Sequence, residues 1–340
     1  MKKLVYYAGM MIVVIILLPM FIVKSCGPSI EKKPPDEVTG SKEYKIIVYN
    51  KTLNKSEEMN LEEYTKGVVA AEMPADFDPE ALKAQAVAAR TFAYGRLAGI
   101  YKSKQGVHDG VDICTESTHC QAWTSKESAM KKWNPFFASR NWGRIERAVN
   151  STKESIVVYE ENIANSLFHA SSSGRTENSE EVWSGTSVPY LRSVASSGEE
   201  ASKGYITSIL IQAAELAEKL SEAKPDAIFE DDIFKSIKIL DFTTGGRVKT
   251  LKIGDVTLKG TEFRTLLGLR SANFKVEMAD DKTNKTLKIT TAGHGHGVGM
   301  SQWGADSLAK KGGTYIEILK HYYTGVDIVS IKEYESKAFQ

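Results

Sequence analysis

A chain of 340 residues is long enough for one large domain or two small ones with real cores. Its 44 basic and 43 acidic side chains nearly cancel, to a net charge of +1. That excludes the strong basic excess of a nucleic-acid binder, and 9% aromatic with 42% hydrophobic residues is ordinary globular material.

The first predicted element is apolar. Leu4 to Val23 carries no charge over about twenty residues, enough for a helix to span a bilayer, with Lys2 and Lys3 before it. A cleaved signal would have a shorter apolar core and a small-residue cleavage site, and neither is clear, so a retained anchor is expected. A lipoprotein reading at Cys26 fits poorly beside Lys24. Lys24, Lys32 and Lys33 balance the leading lysines, so charge alone leaves the orientation open. Residues 24–42, with Pro28, Pro34 and Pro35, read as a tether.

Tyr44 to Tyr49 reads as a strand. Asn60 then stands as an N-cap, with Leu61, Tyr64, Val68 and Ala71 at helical spacing until Pro74 stops the helix. Just before that stop, "GVVAAEMPADF" holds one acid, Glu72, among apolar residues. The negative helix end and the loss of water both raise a carboxyl pKa, as a general acid requires. Most such glutamates are nonetheless structural. Asp78-Pro79 opens a second helix, in which Leu82, Ala86, Ala89 and Ala93 make a small-residue face. Lys83, Val87, Arg90 and Tyr94 make another face, on which Lys83 and Arg90 stand roughly 10 Å apart. They are either a solvated charge pair or a grip on substrate oxygens.

"HDGVDICTESTHC" gathers His108, Cys114, His119 and Cys120. Two thiols and two imidazoles match a tetrahedral zinc site by ligand type, and Asp109 or Asp112 could replace one of the crowded pair His119 and Cys120. The alternative, a Cys114–Cys120 disulfide, leaves both histidines unexplained. A helix is predicted around Arg144 to Thr152, strands near Ser155 to Tyr159 and Ile163 to Ala170, and a helix from Ile206 to Ala223. Short alternating segments follow, with a helix in "GTEFRTLLGL". The glycine-rich "AGHGHGVGMSQWGA" holds His294 and His296 and allows close approach of backbone to a ligand. It lacks the Lys-Ser/Thr ending of a P-loop.

The fold class expected is α+β, with mixed helices and short-stranded sheets around a cleft. The expected divisions are 1–23 stub and anchor, 24–42 linker, 43–199 first part of the core, 200–290 an inserted smaller subdomain, and 291–340 the last part of the core.

Five stretches in order, "AAEMPADFDPEALKAQAVAARTFAY", "SSSGRTENSEEVW", "PYLRSV", "GTEFRTLLGLRSANF" and "GHGHGVGMSQWGA", resemble the stage II sporulation protein D/amidase-enhancer family over about residues 43–330. The resemblance implies a membrane-anchored lytic transglycosylase, its N-terminus cytoplasmic and its catalytic domain outside, acting on peptidoglycan during engulfment. It implies a preference for strands stripped of stem peptides by the amidase stage II sporulation protein P, and a complex with stage II sporulation protein M. The family's essential glutamate corresponds to Glu72 and its supporting cations to Lys83 and Arg90. Ser172, Tyr190, His294, His296 and Gln302, within the matching motifs, are assigned to substrate binding. Zinc in the Cys/His loop is implied for some relatives and a disulfide for others.

Residue and family readings meet at one protonated acid. Glu72 would protonate the glycosidic oxygen, then take the C6 hydroxyl proton as O6 attacks C1, giving a 1,6-anhydro ring. An ordinary glycosidase needs two acids. Two rivals are a non-catalytic glycan-binding activator of an amidase and a zinc hydrolase using His294 and His296.

Overall fold

The computed structural model describes residues 42–101, 110–183, 185, 187–225, 233–279 and 286–338. The predicted membrane span, nearly all of the tether, His108 and Asp109 lie outside them. Among the described residues no helix is long and apolar enough to cross a membrane.

Strand β1 (Lys45–Asn50) buries Ile46, Val48 and Asn50 on alternate positions, as the two-residue period of a strand dictates. It pairs antiparallel with β2 (Lys55–Asn60) and parallel with β3 (Ile113–Cys114). Asn60 then caps helix α1 (Leu61–Glu72), its Oδ1 accepting from the Glu62 N–H at 2.8 Å. Asp78 does the same for α2 (Pro79–Leu97), accepting from the Glu80 N–H at 2.9 Å ahead of proline at the first helical position.

Helix α2 is the centre of the molecule, buried on nearly every side. Leu82, Ala86, Ala89 and Ala93 are fully buried, and so are Val87 and Arg90 on the face they share with Lys83 and Tyr94. Around it pack α1, the helix α4 (Pro135–Ser151) that follows the short α3 (Lys126–Lys132), and strand β4 (Ser155–Tyr159). Helix α4 begins well before the predicted Arg144, because Asn134 caps it and Pro135 starts it. In place of one strand over Ile163 to Ala170 there are two short pieces, β5 (Asn162–Ile163) and β6 (Phe168–His169). β7 (Gly174–Arg175), α5 (Ser179–Val182) and β8 (Ala195–Ser196) complete this stretch.

The next segment differs from expectation at its start. Ile206–Gln212 is strand β9 and only Ala213–Ala223 is helix, α6. The run ITSILIQ is rich in β-branched residues, and it finds a partner in β14 (Thr286–Ala292). Between them lie α7 (Ile233–Ser236), β10 (Lys238–Phe242), β11 (Val248–Ile253), β12 (Val256–Lys259), α8 (Gly260–Leu266) and β13 (Phe274–Met278). Two three-stranded antiparallel sheets, β10-β11-β12 and β13-β14-β9, enclose a core of their own around Leu216, Leu220, Leu251, Phe263 and Ile289.

After β14 comes the glycine-rich loop, then β15 (Met300–Ser301), which pairs parallel with β6. Helices α9 (Gln302–Lys310) and α10 (Tyr315–Tyr322) pack on α2, and β16 (Asp327–Ser330) pairs with β4 before α11 (Ile331–Ala338). The architecture is mixed α+β: eleven helices and small sheets among the described residues.

Candidate active site around Glu72

Glu72 is the last residue of α1, and its carboxyl is partly covered. Two donors reach it. The Gln302 amide donates to Oε2 at 3.1 Å and the Ala122 backbone N–H to Oε1 at 3.0 Å. Desolvation pushes the Glu72 pKa up, and the two hydrogen bonds, which favour the carboxylate, only partly oppose it. No second acid shares these hydrogen bonds among the described residues.

Gln302 comes to the acid because the β15–β6 pairing fixes the residue before it. Ser301 is aligned with His169, and its Oγ caps α9 by accepting the Gly304 N–H at 3.2 Å. Trp303 adds a bond from its N–H to Ala170 O at 3.1 Å and an edge-to-face contact with Phe77, centroids 4.8 Å apart. Beneath sits Glu199, 1% exposed, which sequence reasoning missed. It accepts from the Ser172 and Ser173 N–H groups at 2.7 and 2.8 Å and from the Ser196 and Ser301 hydroxyls at 2.5 Å each. An isolated acid in a serine-rich stretch carries no local signal of that role.

Ala122 is held equally firmly. The Thr124 N–H donates to Gly67 O at 3.2 Å, and Tyr64 Oη donates to Gln121 Oε1 at 3.2 Å. The Trp123 ring lies so close to Gly67 that a Cβ there would overlap it, so glycine is required in mid-helix for the loop to dock.

The structure places the two predicted gripping cations elsewhere. Arg90 is fully buried. Its Nε and Nη2 donate to the Glu62 carboxylate at 2.9 and 2.6 Å, Nη1 to Ser155 O at 3.2 Å, and Nη2 also to Val149 O at 3.1 Å. It ties α1, α2, α4 and β4 together and presents nothing to a ligand. Lys83 donates to Glu80 at 2.6 Å and lies over the Tyr315 ring, while the other Glu80 oxygen accepts the Tyr315 N–H at 2.8 Å. That joins α2 to α10. Neither cation hydrogen-bonds Glu72.

The remaining predicted residues separate. Ser172 is fully buried, its Oγ 2.7 Å from His169 Nε2. His169 Nδ1 sits 3.2 Å from Val298 O, which makes Nδ1 the donor and Nε2 the acceptor of the serine proton. Burial holds that imidazole well below its ordinary pKa, hence neutral. Tyr190 Oη accepts the Asn165 N–H at 2.8 Å and its ring leans on Tyr159, a structural arrangement. His294 is exposed and bridges to Ser171 through backbone bonds of 2.9 and 3.0 Å. His296 lies between His169 and Trp183, centroids 5.5 and 5.1 Å away, with its pKa pulled down by burial to about 3. Below the loop, Arg247 donates to Gly295 O at 2.7 Å and fills the space where Gly297 would otherwise carry a Cβ. Of the glycine-loop residues assigned to the site, only Gln302 reaches the acid.

Cys114, His119 and Cys120 do converge, and the two cysteines are not joined in a disulfide. Both sulfurs face the same imidazole nitrogen, Nδ1 of His119, at 3.5 and 3.6 Å. In a zinc tetrahedron with Zn–S near 2.3 Å and Zn–N near 2.05 Å, the S···N edge is about 3.6 Å. The donor set fits zinc. Asp112 is occupied otherwise, accepting the Ile47 N–H at 2.8 Å. His294 and His296 gain no third ligand among the described residues, which removes the basis for a zinc hydrolase there.

The sequence that carries the helix-end acid and the Cys/His loop matches a known family. The stage II sporulation protein family matches residues 49–159, which hold Glu72 and the Cys/His cluster. The chain is 35% identical over 356 residues to stage II sporulation protein D of Bacillus amyloliquefaciens, covering 99% of this chain and 98% of that protein. It is 36% identical over 345 residues to stage II sporulation protein D of Bacillus subtilis (strain 168), covering 96% of each. It is also 28% identical over 310 residues to the amidase enhancer of Bacillus subtilis, covering 78% of this chain and 40% of that protein. The chain belongs to the stage II sporulation protein D family.

Proposed function

We propose that the chain is a lytic transglycosylase of peptidoglycan that works in sporulation with Glu72 as its single acid and base. Glu72, its pKa raised by desolvation, gives its proton to the β-1,4 oxygen between N-acetylmuramic acid and N-acetylglucosamine, and that C–O bond breaks. The carboxylate formed is received by the Gln302 amide and the Ala122 N–H, already in place. It then takes the proton of the C6 hydroxyl while O6 bonds to C1, which closes the 1,6-anhydro ring and restores the acid. No water is consumed. The observation that carries this reading is the raised pKa of a lone carboxyl with two preset donors.

In this reading residues 4–23 anchor the chain in the membrane, with the N-terminus cytoplasmic and the folded part facing peptidoglycan. Its partners are the amidase stage II sporulation protein P, which supplies stripped strands, and stage II sporulation protein M. Cys114, His119 and Cys120 hold a structural zinc, with His108 as the fourth ligand; the ion's contribution is to fix the loop. The similarity to an amidase enhancer favours one rival, a non-catalytic activator.

Digestion of peptide-stripped strands by the full-length chain, followed by product masses, tests the proposal. Anhydro ends are expected. Reducing ends, or no cleavage unless an amidase is present, would overturn it.

A further inference from the structure

Immediately past Glu72 the chain runs through Pro74, Ala75 and Asp76, which form one wall of a groove of about 400 Å³. The facing wall comes from α4 and the residues before it: Trp133, Phe137, Arg140 and Asn141. Arg144 fastens the walls together, donating to Ala75 O at 2.7 Å and to Phe77 O at 2.6 Å. With that arginine committed, the polar groups left in the groove are Asp76, Arg140 and Asn141. None of the three makes a hydrogen bond to another described residue. Phe137 stands 51% exposed on the rim, and its neighbour Phe136, outside the groove, is 91% exposed.

Asp76 and Arg140 are exposed and Asn141 half-buried, so all three are open to a ligand beside the exposed Phe137 ring. The combination is specific in chemistry. A pyranose offers a face of C–H groups that packs on an aromatic ring, and an edge of hydroxyl and N-acetyl groups that need donors and acceptors together. Asn141 supplies both, Asp76 accepts and Arg140 donates. A bilayer surface fits less well: the groove is concave, and the Asp76 carboxylate opposes anionic headgroups.

We propose that this groove is a glycan subsite, taking N-acetylhexosamine units of the strand to one side of the bond at Glu72. Phe137 and Trp133 receive the sugar faces, and Asn141 and Arg140 hold the acetamido and hydroxyl groups. The proposal rests on the reading of Glu72 as an acid acting on glycan, because the groove wall begins at Pro74, two residues after that acid.

The test is calorimetric binding of a β-1,4-linked N-acetylglucosamine hexamer to the full-length Glu72→Gln chain in detergent. Phe137→Ala and Asn141→Ala should each weaken binding about tenfold with the melting temperature unchanged, and Phe136→Ala should leave it intact. Unchanged affinity in both groove variants, or no binding by the parent, overturns the proposal. So does a loss that Phe136→Ala shares and that appears only in anionic-lipid vesicles, which would assign this face to the membrane. The two readings fail separately. Full cleavage by Glu72→Gln with the affinity losses intact would leave the groove and remove the acid. Inactive Glu72→Gln with unchanged affinities would do the reverse.

Discussion

Ala122 donates its backbone N–H to Glu72 across fifty residues of chain, and it does so two residues after Cys120. The Cys/His cluster is thus mechanically joined to the acid rather than to the Lys83 and Arg90 face. If it holds zinc, purified full-length chain carries close to one metal per molecule. Cys114→Ser should lower the metal content, the melting temperature and glycan cleavage together, since the loop that presents the Ala122 N–H loosens. Elemental analysis with thiol titration decides it: metal-free protein in which Cys114 and Cys120 do not titrate, leaving only the Cys26 thiol, would establish the disulfide instead.

Glu72→Gln keeps the shape of the side chain and removes its proton. Cleavage should fall by ~10²–10⁴-fold while glycan binding remains, and residual activity above a few per cent would sink the assignment. Stability moves the other way. The folded pKa is raised, so ionising Glu72 costs the fold stability as pH rises above the ordinary glutamate value. The variant should therefore melt at the same or a higher temperature than the parent at pH 7, and the gap should close as pH falls below that value.

Gln302→Leu tests the second donor. The amide favours the carboxylate, so its loss raises the Glu72 pKa further. Activity that needs the protonated acid is lost as pH rises through that pKa, and in the variant this alkaline limb should move to higher pH. The plateau rate should drop about tenfold or more, because the carboxylate left after proton transfer has lost a partner. A lowered rate with an unmoved limb would reduce Gln302 to a packing residue.

Arg90→Ala should behave as a core defect. It strands the Glu62 carboxylate and the Ser155 and Val149 carbonyls, and breaking a buried pair in this way costs ~3–5 kcal/mol. Arg90→Lys should rescue little, since one ammonium cannot reproduce the bidentate contact. Thermal unfolding measures the loss. A folded, fully stable Arg90→Ala chain with weakened glycan binding would return the residue to the substrate.

The caps at Asn60 and Asp78, the stop at Pro74 and the tight face of α2 were legible because each depends on chemistry within a few residues. The other face of α2 was not. Two cations two turns apart on one helix face look solvated until the partner is known, and Glu62 lies on a different helix. The strand at Ile206–Gln212 was hidden for the same reason, since its partner begins at Thr286. Glu72 and Gln302 could be placed in one site through their motifs. Ala122 could not, because a backbone N–H carries no residue type to read.

Gln302 stands 230 positions beyond Glu72. A ribosome makes the chain from the other end, so the acid is synthesised long before the side chain that receives its charge. Until Gln302 emerges and β15 docks on β6, the Glu72 carboxyl lacks one of its two donors. If Glu72 is the acid of a glycan-cutting site, a chain assembled in this order cannot act half-made, and truncation between Glu72 and Gln302 should leave a chain that carries the acid and has no cutting power.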